Sequence, residues 1–104
     1  MKVAAVVLSR NLPELSAGLV ENLRSISSDY DAFSVDCGSL IDNICPFSRY
    51  RDGSVQAIEN GLRCFRGTNF AISEMIKDRS YYQYDAFLVM ACDFKFLPTS
   101  MGPQ

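Results

Sequence analysis

The run Val3-Ala4-Ala5-Val6-Val7-Leu8 constrains this chain more than any other segment. Its six apolar residues, three of them β-branched, leave no polar side chain on either side of a pleated strand. A strand of this kind sits inside a parallel sheet with helices on both faces. Ser9-Arg10-Asn11 breaks the run, and an amphipathic pattern follows. Leu12, Leu15, Leu19, Leu23 and Ile26 recur at spacings of 3, 4, 4 and 3, which predicts one apolar stripe on a helix. Asn11 stands as its N-cap, with Glu14 three residues on and Pro13 in the first turn. Strand, tight turn and helix make the first half of a βαβ unit.

The rest of the chain repeats this alternation. A second strand is expected over 32–35, closed by Asp36-Cys37-Gly38-Ser39. The segment 40–54 has no period and contains Pro46 and Gly53, so it reads as a loop. Val55-Gln56-Ala57-Ile58-Glu59 alternates ahead of Asn60-Gly61 and predicts a short third strand. A second helix opens at Gly67 or Thr68, with Ile72, Met75, Ile76 and Arg79 on one side. Residues 85–91 form a last buried strand, with Asp93 just beyond it. The order β-α-β-β-α-β defines an α/β fold, a mostly parallel sheet of about four strands flanked by helices. The 104 residues suffice for one core and one domain, 1–104.

Composition removes several chemistries. There is no histidine, which excludes Ser-His-Asp and Cys-His catalysis and histidine-ligated zinc. Ten Lys and Arg against twelve Asp and Glu leave no basic excess for a nucleic-acid backbone. Cys37, Cys45, Cys64 and Cys92 include no CxxC pair and read as reduced core or loop thiols. No apolar run approaches membrane-spanning length, and the opening is too short for a signal peptide, so the expected compartment is the cytoplasm. GxGxxG and GxxxxGK[ST] are both missing.

In open α/β sheets, ligands bind beyond the carboxyl ends of the strands. Three polar strand ends stand there: Ser9-Arg10-Asn11, Asp36-Cys37-Gly38-Ser39 and Cys92-Asp93. Ser9 and Asn11 also read as a turn and a helix cap, and Asp36 with Gly38 as an ordinary Asx turn. Arg66 also reads as a solvated surface side chain.

Four segments resemble the family 2 glycosyltransferases of the GT-A fold, whose donor-binding half is Rossmann-like. Val6–Leu15 is similar to their opening strand, Thr/Ser-x-Asn turn and helix start. Phe33-Ser34-Val35-Asp36-Cys37-Gly38-Ser39 resembles the second-strand motif ending in Asp-Gly-Ser. Phe65–Ile72 resembles the turn that carries an Asn near the next helix start. Asp85–Pro98 resembles the strand bearing a metal-binding Asp-x-Asp and a downstream proline. The resemblance implies transfer of a glycosyl group from a UDP- or dTDP-linked sugar to an acceptor such as a polysaccharide, lipid-linked sugar or protein. Ser9, Arg10 and Asn11 would then line base and ribose, and Asp36 with Gly38 would hold a uracil or thymine imide. Arg66, Thr68 and Asn69 would face the donor, and Asp93 would bind Mg²⁺ or Mn²⁺.

Three departures qualify what the resemblance implies. Thr68 stands where the family's helix start carries an arginine, which removes a charge from the donor site. The Asp-x-Asp position reads Ala91-Cys92-Asp93, which lacks the first carboxylate, and Cys92 suits hard cations poorly. The family's transferase domain is about twice this long, so the chain corresponds to its N-terminal donor-binding part, incomplete for catalysis. No catalytic base is identified: Glu59 and Glu74 read as solvated. The alternative is a non-catalytic α/β module that forms a homo-oligomer or docks a partner through an exposed sheet edge, with Tyr81, Tyr82 and Tyr84 on that surface.

Overall fold

The structure, a computed structural model, describes residues 1–92. The apolar run forms β1 (Val3–Ser9), followed by α1 (Pro13–Ile26), β2 (Tyr30–Asp36) and β3 (Ser48–Arg51). The helices α2 (Val55–Asn60) and α3 (Cys64–Lys77) then lead to β4 (Ala86–Ala91). The strands form one sheet in the order β3-β2-β1-β4, and every pairing is parallel. The α/β class and a parallel sheet of about four strands are as expected, with the third strand in a different place. Asp93 lies outside the described residues, as does the end of the Asp85–Pro98 segment.

Two-sided burial of β1 organises the molecule. Its connection to β2 runs one way along the sheet, and the return from β3 to β4 runs the other. Right-handed crossovers taken in opposite directions place their helices on opposite faces. Ala5 and Val7 accordingly pack with Val20 and Leu23 of α1. Ala4, Val6 and Leu8 pack with Phe33, Val35, and Ala71 and Met75 of α3. All four residues from Ala4 to Val7 are fully buried.

Several elements differ from the expectation. Leu12 occupies the N-cap position of α1 and makes no side-chain cap bond, while Asn11 adopts a left-handed φ of 56° and faces another loop. The buried face of α1 is Ser16, Val20 and Leu23, and Leu12, Leu15 and Ile26 stay largely exposed. A hydroxyl bond from Ser16 to β1 turns the small residue inward, so Leu12, Leu15 and Ile26 lie at the margin of the contact while Leu19 and Leu23 of the same stripe pack toward the sheet.

Residues 55–59 form helix rather than strand, because the Ser54 side chain accepts the Ala57 N–H at 3.2 Å and caps the first turn. The third strand lies instead within 40–54, which also holds a 3₁₀ turn at Ile41–Asn43. It is fixed by tertiary contacts: the Arg49 guanidinium lies 3.9 Å over the Phe33 ring, and Tyr50 meets that ring edge-on. Helix α3 starts one turn earlier than expected, at Cys64. Its inner face holds Met75, while Ile76 is 44% exposed and Arg79 lies beyond the helix.

β4 is half-buried rather than buried, as befits an edge. Tyr81 stacks on Phe87, and the Tyr84 hydroxyl donates to Asp31, so only Tyr82 of the three tyrosines is largely exposed. Among the described residues, no helix is long and apolar enough to cross a membrane.

The packing of α3 makes a direct prediction. Met75→Ala removes a fully buried side chain and lowers the free energy of unfolding by about 2–5 kcal/mol in urea titrations. Ile76→Ala costs less than about 1 kcal/mol. Equal losses at the two positions would show that α3 presents a different face to the sheet.

Candidate functional site

Parallel register assembles a polar row at the carboxyl edge of the sheet. Ser9 pairs with Asp36, Asp36 with Arg51, and Leu8 with Ala91. The Cys37 N–H donates to the Ser9 carbonyl and the Cys92 N–H to the Leu8 carbonyl, each at 2.8 Å. The end of β1 is thereby clamped from both sides. Of the residues expected at the site, Ser9, Arg10, Asn11, Asp36 and Gly38 come together here.

Asp36 is fully buried. Its Oδ2 accepts the N–H groups of Gly38 at 3.3 Å and Ser39 at 3.0 Å, and the Arg51 Nε stands 3.6 Å away. This is the Asx turn that the sequence allowed. The turn leaves one atom unexplained: Oδ1 has no hydrogen-bond partner among the described residues. A buried acceptor without a partner costs about 1–3 kcal/mol, so something other than turn formation keeps it there. Gly38 adopts a φ of 101°, and a Cβ on it would lie 2.0 Å from the Ala57 carbonyl oxygen. The turn therefore admits no side chain at this point.

Ser39 knits the loops together. Its Oγ accepts the Asn11 N–H at 2.8 Å, and its carbonyl accepts from Arg51 Nη2 at 3.2 Å. The Asn11 Oδ1 accepts the Leu40 N–H at 2.8 Å, so Asn11 clips the loop after β2 instead of capping α1. The Ser9 hydroxyl accepts from Ser16 at 2.7 Å, and both residues are fully buried. Arg10 crosses to α2, where its Nη2 donates to the Ile58 carbonyl at 2.7 Å.

Two of the hollows among the described residues at this edge share Leu62. One, of about 190 Å³, lies between the ends of β1 and β4 and is lined by Ser9, Arg10, Cys37, Leu62, Ala91 and Cys92, among others. The other, of about 360 Å³, holds Arg66 with Asp52 and Asn60. Thr68 and Asn69 line neither hollow. They follow Gly67, where α3 approaches so closely that a Cβ would meet the Leu8 side chain at 3.0 Å.

Asp93, the residue expected to hold a divalent cation, lies outside the described residues, and no cluster of three metal-binding side chains occurs among the described ones. Nor is Cys37 a nucleophile: burial first, and the neighbouring Asp36 second, push its thiol up to about 12.

Sequence reasoning missed Arg51, which lay in a segment read as loop, and Ser16, hidden within a leucine pattern. Ser39 was visible in the Asp-x-Gly-Ser turn. Comparison with protein-family models, with curated proteins and with solved structures gives no match. The functional reading therefore rests on this geometry and on the motifs.

At pH 8, iodoacetamide leaves Cys37 unmodified in the folded protein and alkylates it after denaturation, as read by mass spectrometry. Its contribution to stability is fully present below pH 9.0 and is lost as pH rises toward about 12, because the unfolded thiol ionises first. Tyr50 and Tyr84, raised by burial and by donation to Asp78 and Asp31, act in the same direction. Alkylation of folded Cys37 at the rate of a free thiol would contradict this placement.

Proposed function

We propose that the carboxyl edge of this sheet binds the nucleoside diphosphate of a sugar donor, and that the chain is the donor-binding part of a family 2-like glycosyltransferase. The observation that carries this reading is the fully buried Asp36, with one oxygen spent on its own turn and the other without a partner among the described residues. An imide N–H of uracil or thymine is the donor such an acceptor lacks. Ser9, in register beside it, supplies a neighbouring hydroxyl, and Asn11, two residues further on, holds the loop after β2 in place. The strand order supports the same edge, because it reverses between β1 and β4, where open α/β sheets hold nucleotides.

In this reading Arg66 reaches the donor from the adjoining hollow. The isolated chain binds a UDP- or dTDP-linked sugar and transfers little of it to its polysaccharide, lipid-linked or protein acceptor. Glu74 pairs with Lys77 at 3.0 Å on α3, and Glu59 is exposed on α2, so neither is placed to take the acceptor's proton. A second reading, association through a sheet edge, draws on β4, whose six residues are all apolar and half-buried. The opposite edge strand, β3, carries two arginines.

Calorimetric titration with UDP separates the two. The donor-site reading expects millimolar or tighter binding, weakened about tenfold or more by Asp36→Asn, which removes a charged acceptor. Unchanged affinity in the variant would show that the base is not held by Asp36. No binding by the unsubstituted protein, together with concentration-dependent association, would favour the sheet-edge reading.

A further inference from the structure

We infer that the hollow between the ends of β1 and β4 is an anion seat, in which the Arg10 guanidinium and the Ser9 hydroxyl hold phosphate oxygens without a resident divalent cation. The inference rests on the reading of this edge as a nucleotide site, and it assigns the part of the ligand that Asp36 does not explain. Arg10 carries the argument. Its Nη2 is committed to the Ile58 carbonyl, but its Nε–H is buried and has no acceptor among the described residues. No carboxylate among those residues forms an ion pair with it, although Arg49 and Arg51 each have one. A charged, forked donor with an unused N–H is suited to a phosphate oxygen.

The guanidinium is also held in place. Gly61, at a φ of 73°, seats it so closely that a Cβ there would lie 2.9 Å from the Arg10 Cδ and 3.0 Å from Nε. Ser9 adds a second donor: Ser16 supplies the proton of the bond between the two hydroxyls, which leaves the Ser9 proton for another acceptor. The described lining contains no carboxylate, and its Cys37 thiol is kept neutral by burial. At about 190 Å³ the hollow is smaller than the usual site for a drug-sized molecule and suits a small polyatomic anion. Arg10 supplies positive charge at this hollow.

Titrations with inorganic pyrophosphate and with uridine, each in EDTA and in Mn²⁺, test the seat apart from the base site. Pyrophosphate binds equally well in both conditions. Arg10→Gln weakens it about tenfold, and uridine affinity stays unchanged. Ser9→Ala, which leaves α2 untouched, weakens pyrophosphate by about threefold and keeps the proposal testable if Arg10→Gln fails to fold. Pyrophosphate binding that is lost in EDTA and restored by Mn²⁺ would overturn the inference. So would wild-type affinity in folded Arg10→Gln or in Ser9→Ala. Uridine binding without pyrophosphate binding removes the seat and leaves the Asp36 reading standing, whereas the converse removes the base site and keeps the seat.

Discussion

A strand with no polar side chain must be covered on both faces and hydrogen-bonded on both edges, and β1 meets this requirement only at the centre of the sheet. The helices take opposite faces for that reason, and β2 and β4 take opposite edges. The first polar side chain of the strand, Ser9, appears where the chain leaves the core, and it is still fully buried. Its neighbours across the register are therefore polar groups delivered to the same depth. Asp36 is the most consequential of them, because a buried carboxylate needs compensation, and the Gly38 and Ser39 amides with Arg51 supply it at only one oxygen.

Asp36, Arg51 and the Ser9–Ser16 pair set out acceptors and donors in register along this edge. At the ends of β1 and β4, Ser9, Arg10 and Leu62 line a smaller hollow that also holds the Cys37 and Cys92 thiols, the first of them chemically quiet. The chain has no histidine, and two carboxylates at this edge, Asp36 and Asp52, accept backbone N–H groups of their own turns. The net charge of −2 gives no hint of the single arginine at the hollow, because local placement rather than total charge decides what an anion meets.

Elements whose burial is written in consecutive residues were legible in the sequence. β1 and β2 are apolar enough to be read directly, and the α3 pattern gave the right helix with a late start. β3 was not legible, since Ser-Arg-Tyr-Arg has no core face of its own and depends on Phe33 two strand positions away in register. α2 was misread because five alternating residues fit a strand, while a single Ser54 cap decides for helix. At the site, Ser9, Asp36 and Gly38 were visible as a polar strand end and a glycine turn. The part played by Asn11 was not, because its left-handed backbone and its bond to Leu40 are long-range facts. Arg51 and Ser16 likewise acquire meaning only from register and helix rotation.

The central claim is that one edge of the sheet, and not its surface at large, recognises a nucleotide. Backbone amide NMR during titration with UDP tests it most directly. The account predicts that the largest shifts fall on Ser9, Arg10, Cys37, Gly38, Ser39 and Cys92, with Tyr81–Tyr84 at the opposite edge unmoved. Shifts centred on the amino edge, or spread without pattern while these amides stay still, would contradict it.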